Sequence, residues 1–350
     1  MKKNKKMLAV EETPVVSDIS AEGLAEVTGQ SEAELFSFVE YHPEEAERIG
    51  YSEYSYWKSV WRNFLKKKSA VIMLVIFLAV FIFSFLAISP LFTEYKHYSE
   101  LTTNRNMKFA LPGTVAEVKD KKTGEVRSHK YLFGADNLGR DYWYQVWYAT
   151  QHSVLLAAIV GVGEVIVGVI MGLLWGYVRK LDRIFTEIYN IIYSVPTIIY
   201  MTLIALMIGK TFMIMCVSLI IFNWIYTAKN IRNLVFMYRD REYNLASRCL
   251  GTKLGTILLK NILPYMISVI ILRMALAIPQ TIGMETTLAY LGLLDVQEPA
   301  LGLLLRNSRE QFANYPHILI FPAVIVSLIT VTFYLAGNAF SDAADPRNHV

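Results

Sequence analysis

The sequence contains few cysteines and little charge. Two cysteines, Cys216 and Cys249, occur in 350 residues, which is too few for a disulfide framework, and their spacing matches no metal site. Charged residues make up 18% of the chain and hydrophobic residues 54%, whereas soluble proteins average about 25% and about 45–50%. The net charge of +4 gives no reason to expect a nucleic-acid partner. Composition therefore favours a membrane protein.

Catalytic and nucleotide-binding motifs are also missing. A phosphate-binding loop follows the pattern GxxxxGK[ST]. The triplet from Gly209 to Thr211 matches the end of that pattern, but Ile204 stands where the first glycine belongs. No HExxH, no CxxC and no Ser-His-Asp arrangement is recognisable. We therefore expect no enzyme activity, no metal site and no cofactor bound by this chain. If the chain moves a solute uphill, either an ion gradient drives the movement or another polypeptide hydrolyses the nucleotide.

Six apolar blocks predict an all-α membrane protein with about six transmembrane helices, because a helix needs roughly 20 apolar residues to cross the hydrocarbon core. The blocks cover residues 69–89, 153–178, 184–208, 211–231, 264–290 and 317–340. Lys and Arg are concentrated before the first block, after the second and after the fourth. Because short cytoplasmic flanks carry the excess of positive charge, both termini are predicted to be cytoplasmic.

The predicted organisation has five parts. These are an acidic cytoplasmic N-terminal tail (1–56), a lead-in with the first transmembrane helix (57–90), an extracytoplasmic loop (91–152), a five-helix transmembrane core (153–340) and a cytoplasmic C-terminus (341–350). No cleavable signal peptide is expected, since no apolar run follows the basic first residues. Within the loop, DKKTGEVR, with Thr123 and Gly124 at its tip, predicts a hairpin turn.

Glycines and prolines give further expectations about the helices. Gly168, Gly172 and Gly176 recur every four residues in the second block, so they form one smooth ridge that lets a neighbouring helix approach closely. Pro196 and Pro279 interrupt the third and fifth blocks and predict kinks there.

Four ionisable residues lie inside apolar blocks: Glu164, Glu187, Arg273 and Glu285. Each costs about 2.5–3.5 kcal/mol at a helix centre, so each is expected to face the bundle interior, water or a partner. Glu164 and Glu285 are candidates for lining a translocation path. For Glu164, taken as the deepest, an internal ion pair is an equally open interpretation. For the other three, an internal ion pair or a position near the interface is favoured.

The stretch RDREYNLASRCLGTKLGTILLKNILP, residues 239–264, is the most informative segment. Glu242 suits the positive end of a helix dipole, and basic residues follow later. Gly251 can end the helix and turn the chain, and Pro264 suits the first turn of the next span. We predict a short helix within 240–260 that projects from the cytoplasmic face. The alternative is an amphipathic helix resting on lipid headgroups.

These residues resemble a motif of the inner-membrane permease subunits of ABC importers, specifically the second (C-type) permease of oligopeptide and dipeptide systems. The motif E-A-A-three residues-G-nine residues-I-x-L-P is matched by Leu245, Ala246, Ser247, Gly251, Ile262, Leu263 and Pro264. Leu replaces Glu, Ser replaces the second Ala, and Ile stands one place later than in the general pattern. FGADNLGRD (133–141), ETTLAYLGL (285–293) and DAADPR (342–347) resemble that family's FGTDxxGRD, EASLSFLGL and DALDPR.

The resemblance implies a type I ABC importer permease with a cytoplasmic coupling helix, set in the cell membrane. Its implied partners are a second homologous permease, two cytoplasmic ATPase subunits that bind ATP and Mg, an extracytoplasmic peptide-binding protein and the lipid bilayer. The expected ATPase contact comprises Glu242, Leu245, Ala246, Ser247, Arg248, Leu250, Gly251 and Thr252.

The cargo implied by the resemblance is peptide, with oligopeptides preferred. A dipeptide or nickel importer of the same family is the alternative. An ion-coupled secondary transporter is disfavoured, because such proteins more often carry an inverted repeat, and none is recognisable here. The length preference for peptides and the role of the acidic tail stay open.

Overall fold

The computed structural model describes residues 56–89, 91, 101, 103–119, 126–295 and 299–344. The acidic tail up to residue 55, the tip of the loop hairpin at 120–125 and the end of the DAADPR motif lie outside the described residues. Helices dominate the rest. They are α1 (Tyr56–Lys66), α2 (Lys68–Ala87), α3 (Tyr142–Tyr177), α4 (Arg179–Tyr193), α5 (Thr197–Met207), α6 (Phe212–Tyr238), α7 (Glu242–Cys249), α8 (Ile267–Tyr290), α9 (Leu301–Arg309) and α10 (Pro316–Ala343).

Five helical segments of the described chain are long and apolar enough to cross a membrane. These are α2, α3, α6, the segment Leu254–Tyr290 that contains α8, and α10. A sixth crossing is available only if α4 and α5 are taken together as one bent pair. The prediction of an all-α membrane protein with about six transmembrane helices is thus confirmed. A single small antiparallel sheet accompanies the helices in the part of the chain that the structure describes.

The third apolar block, predicted as one span over 184–208, is not a continuous helix. It divides into α4 and α5, which are bent by 77° at the break before Thr197. Pro196 supplies the reason, because proline has no N–H for the helical hydrogen bond and disfavours the helical conformation of the residue before it. The expected kink is therefore a full break.

The loop predicted over 91–152 ends earlier than expected, because α3 begins at Tyr142. Asp141 caps this helix, and its Oδ1 accepts a hydrogen bond from the Trp143 amide at 2.9 Å. Its first turns pack in the core through buried residues that include Tyr142 and Val146. The last residues of the predicted loop are thus part of a 36-residue helix.

The remainder of that loop contains a hairpin. Strands β1 (Thr114–Lys119) and β2 (Val126–Tyr131) pair antiparallel, with Thr114 opposite Tyr131. The pair lies on either side of the segment in which the sequence indicates a turn. His129 on β2 contacts the capping residue Asp141 at 3.0 Å, so the hairpin is tied to the start of α3.

Helices α3 and α6 approach each other closely along the glycine ridge. A Cβ atom at Gly168, Gly172 or Gly176 would lie 2.6 Å from atoms of Thr227, Ala228 or Val235, respectively. These distances are shorter than van der Waals contact, so nothing larger than hydrogen fits at the three positions. The two helices therefore pack as one unit over about two turns.

The fifth span also begins earlier than predicted. Helical structure starts at Leu254, runs through a π-helical stretch (Ile257–Ile262) and a 3₁₀ turn (Leu263–Met266), and becomes regular in α8. Pro264 lies near the start of the 3₁₀ turn and not at the first turn of a new span. Pro279 lies inside α8, which continues through it.

Candidate coupling site

Helix α7 is a single short helix that connects α6 to the segment before α8. Glu242 lies in its first turn and Arg248 in its last, and both charges complement the helix dipole. A helix of eight residues is marginal in water by itself. Its stability therefore depends on how its ends and its inner side are held.

Gly251 ends this helix in the left-handed conformation, with φ +76°. The Gly251 amide donates to the Arg248 carbonyl at 3.0 Å, and the Thr252 amide donates to the Ser247 carbonyl at 3.0 Å. These two bonds make a Schellman motif. A Cβ atom at Gly251 would meet nothing within 4 Å. Glycine is thus favoured here by backbone conformation alone.

The inner side of α7 is held by polar contacts. Asn244 is fully buried, and its Nδ2 donates to the Tyr238 carbonyl at 2.8 Å. Ser247 Oγ donates to the Tyr243 carbonyl at 2.9 Å and accepts from Asn261 Nδ2 at 3.1 Å. The helix is therefore tied to the end of α6 and to the π-helical stretch that leads into α8.

A charge cluster fixes the approach to α7. Asp240 accepts from Arg239 Nε at 3.0 Å and from Arg248 Nη2 at 3.1 Å. These hydrogen bonds, the one from Arg248 first, lower the pKa of the Asp240 carboxyl. Arg239 Nη1 also donates to the Gly176 carbonyl at 2.9 Å. The cluster thus joins α7 to the last turn of α3, at the end of the glycine ridge.

The outer side of α7 exposes apolar groups. Leu250 is 85% exposed and Leu245 is 45% exposed. Tyr243, which packs beside Tyr265 with ring centroids 6.0 Å apart, is also exposed, and partial burial raises the pKa of its hydroxyl. An apolar surface of this kind at a helix tip is typical of a protein–protein contact.

The predicted contact residues therefore lie together on α7 and in the turn that ends it. Glu242, Leu245, Ala246, Arg248, Leu250 and Gly251 are exposed, whereas Ser247 and Thr252 are half-buried. Leu245 occupies the slot of the family's acidic residue, so no ion pair forms from that position. The roles of Asp240 and Asn244 were not predicted from the sequence. The alternating charges of RDRE (239–242) were a signal for the role of Asp240. No feature of the sequence indicated that Asn244 would be buried.

The two carboxylates suggested for a translocation path take part in different contacts. Glu164 on α3 is 7% exposed and lies near Asn223 on α6 and Arg273 on α8. Both interpretations of Glu164, a translocation path and an internal ion pair, stay predictions. Glu187 lies exposed on α4, and Arg273 is half-buried.

Glu285 is the least exposed of the four ionisable residues. It is 1% exposed and lies near Ser153 on α3. Its Oε2 has no hydrogen-bond partner among the described residues. That carboxylate faces a small cavity lined by residues that include His152 and Lys210. Among the described residues, no cluster of three or more potential metal ligands occurs.

The C-terminal half of the chain, residues 164–350, matches the family described as binding-protein-dependent transport system inner membrane component. The chain belongs to this permease family. Residues 55–112 match the N-terminal transmembrane domain of oligopeptide transport permease C. The permease is therefore a multi-pass membrane protein. The match over residues 164–350 includes α7, α8, α9 and α10.

Relatives of the permease cover nearly its whole length. It is 32% identical to the oligopeptide transport system permease protein AmiD of Streptococcus pneumoniae over 90% of this chain and 98% of that protein. It is 29% identical to the dipeptide transport system permease protein DppC of Lactococcus lactis, over 86% and 93%. It is 28% identical to the oligopeptide transport system permease protein OppC of Bacillus subtilis, over 87% and 93%.

Proposed function

We propose that this permease is a transmembrane subunit of an ATP-driven importer that translocates peptides delivered by an extracytoplasmic binding protein. Helix α7 carries the proposal: it is short, held firmly on its inner side and exposes Leu245 and Leu250 on its outer side. Membership of a binding-protein-dependent transport family supports the same function.

The proposed partners follow from the family resemblance, because no nucleotide-binding motif is recognisable in the sequence. Two cytoplasmic ATPase subunits bind ATP and Mg, and one of them receives α7 in a surface groove. A second homologous permease receives the other ATPase and completes the passage. Closure of the ATPases on ATP displaces α7, and the tied helices α3, α6 and α8 switch between inward-facing and outward-facing states as rigid bodies.

The orientation is part of the proposal. Both termini and α7 are cytoplasmic, because Lys and Arg cluster near the ends of the spans on that side. The hairpin β1–β2 then faces the outside, where it helps to dock the binding protein. The cargo is peptide, as in the names of the related permeases, with oligopeptides preferred over dipeptides.

Co-purification and ATP hydrolysis test the proposal. The chain is expected to purify with two ATPase subunits and a second permease, and the reconstituted complex is expected to hydrolyse ATP faster when the loaded binding protein is added. Burying one leucine side chain contributes about 1.5–3 kcal/mol. Leu250→Asp should therefore weaken ATPase binding at least about 10-fold, since 1.4 kcal/mol is tenfold.

Leu111→Asp is the matched control. Leu111 is also exposed, but it precedes β1 at the opposite end of the bundle. It should leave ATPase binding unchanged. An isolated chain that takes up peptide at full rate in a proton gradient, with no ATPase present, would refute the proposal and favour an ion-coupled transporter. Uptake of labelled di-, penta- and nonapeptides by a deletion strain decides the length preference.

A further inference from the structure

Helix α4 has one side that packs on the bundle. Asp182 Oδ1 accepts from Arg232 Nε on α6 at 2.6 Å and from Trp175 Nε1 on α3 at 3.0 Å. Further along α4, the ring of Tyr189 lies 4.7 Å from Lys229 Nζ on α6. Because residues three and four apart share a helix face, these contacts define the inner side of α4.

A second side of α4 is apolar and uncovered. Ile184, Ile188 and Ile191 follow the spacing i, i+4, i+7, which places them on one stripe of a helix. Ile184 is 56% exposed and Ile191 is 66% exposed. No residue of α4 is fully buried, so the isoleucine stripe does not belong to the described core.

A third side of α4 is basic. At 100° per residue, Arg179, Lys180 and Arg183 fall between the inner side and the isoleucine stripe, together with Glu187. All four are exposed. None of the three cations forms an ion pair with another residue that the structure describes. Lys180 and Ile184 are neighbours on the wheel, so a charged strip borders the apolar stripe directly.

The course of α4 is oblique to the bundle. Asp182 contacts Arg232, whereas Tyr193 contacts Tyr226 with ring centroids 6.0 Å apart. Between these contacts, α4 extends about 16 Å along its own axis but advances only about 9 Å along α6. It starts directly after α3, at the end of the bundle that carries α7, and bends by 77° into α5.

We propose that α4 lies in the membrane interface on the α7 side and binds anionic phospholipid there. Arg179, Lys180 and Arg183 contact lipid phosphates, while the isoleucine stripe contacts acyl chains. A helix with a basic side beside an apolar side is the form that interfacial helices take. A protein partner that covered the isoleucine stripe would also remove water from the neighbouring cations. Anionic lipid instead places its acyl chains against the stripe and its negative headgroups against the cations. This inference goes beyond the proposed transport function and does not depend on it.

Spin labels on the assembled complex in phosphatidylglycerol nanodiscs test the position of α4. Single cysteines replace Ile184, Ile188 or Arg183 in a Cys249→Ser background, since Cys216 is buried. Labels at the isoleucines should collide with oxygen in preference to a water-soluble nickel chelate, and the label at Arg183 should show the reverse preference. Isoleucine labels that neither reagent reaches would show a protein-covered face, and labels reached by nickel would show a water-filled one. Either result overturns the proposal.

Lipid retention tests the charge contact. Native mass spectrometry of the complex, titrated with phosphatidylglycerol or phosphatidylcholine, is expected to show preferential retention of the anionic lipid. Each cation near an anionic surface contributes about fivefold. Three such factors multiply, so Arg179→Gln/Lys180→Gln/Arg183→Gln should reduce the preference by up to roughly 100-fold. Repulsion by Glu187 is the same in both proteins and does not enter the comparison.

The matched control neutralises three exposed cations at the other end of the bundle, in Arg105→Gln/Lys108→Gln/Lys130→Gln. It should retain the full preference for phosphatidylglycerol. Equal loss in both triple variants, or equal retention of the two lipids by the unmodified complex, would refute lipid binding by α4. Correct assembly of each variant is checked by the masses of the subunits in the same spectra.

Discussion

Replacing Gly251 with alanine should loosen α7 without any steric clash. The added Cβ atom meets nothing within 4 Å, so the change acts only on the backbone, which has φ +76°. The left-handed conformation costs an L-residue with a side chain roughly 1–2 kcal/mol. The strain destabilises the last turn of α7, which is closed by the hydrogen bonds from the Gly251 and Thr252 amides. The opening equilibrium of the last turn should rise about 5- to 30-fold.

Hydrogen exchange measured by mass spectrometry gives this equilibrium directly. In the complex reconstituted without nucleotide, peptides covering 242–252 should exchange about 5- to 30-fold faster in Gly251→Ala. Gly251→Asn should lie between the two, because Asn tolerates φ > 0 better than other residues with a side chain. Exchange in the distant hairpin β1–β2 should not change.

Gly255→Ala provides a control with the opposite sign. A Cβ atom there also meets nothing within 4 Å, but its φ is not positive, and it lies in the helical turn Leu254–Thr256. Alanine is favoured over glycine in a helix by about 0.8–1.0 kcal/mol, so exchange in this turn should slow down. If peptides covering 242–252 exchange equally fast in the unmodified protein, Gly251→Ala and Gly255→Ala, the backbone conformation at Gly251 does not hold α7. Faster exchange of these peptides in Gly255→Ala alone would lead to the same conclusion.

Three further predictions concern the ridge, the charge cluster and the hairpin. Gly172→Leu should destabilise the complex by about 1–3 kcal/mol or more through overpacking against α6, seen as a lower melting temperature, whereas Gly283→Ala, with open space around its Cβ, should not. Because hydrogen bonds lower the pKa of Asp240, its contribution to α7 is present above the ordinary aspartate pKa and is lost as the pH falls through the lowered value. A fluorophore on the exposed Cys249 should therefore report an acid transition that Asp240→Asn abolishes; persistence of that transition would exclude Asp240 as its source. Deleting 115–128 should weaken delivery by the binding protein without changing basal ATP hydrolysis, and unchanged uptake would contradict a docking role.

Local signals explain why α7 could be predicted from sequence. An acidic first turn, a basic last turn and a glycine two residues past the helix end act over a few residues, and they gave both the helix and its stop. The close approach of α3 and α6 likewise follows from the four-residue spacing of the glycines, because small residues leave space wherever a neighbour packs.

The break between α4 and α5 could not be predicted in the same way. Hydropathy counts apolar residues but carries no information on direction, so 184–208 looked like one span. Pro196 indicated a kink, but its size depends on contacts such as Asp182 with Arg232, which join residues 50 positions apart. The start of α3 was missed for another reason: its first turns are aromatic and polar, although Asp141 was a readable capping signal.

The glycine ridge has a consequence for movement. Because α3 and α6 touch at three positions over about two turns, they cannot slide along each other without first separating. We therefore expect them to tilt together as one rigid pair. Arg239 joins α7 to one end of this helix pair through its hydrogen bond to the Gly176 carbonyl. If α7 is displaced, we therefore expect the movement to be taken up where the helices are irregular, at the break before Thr197 and in the π-helical and 3₁₀ stretch before α8.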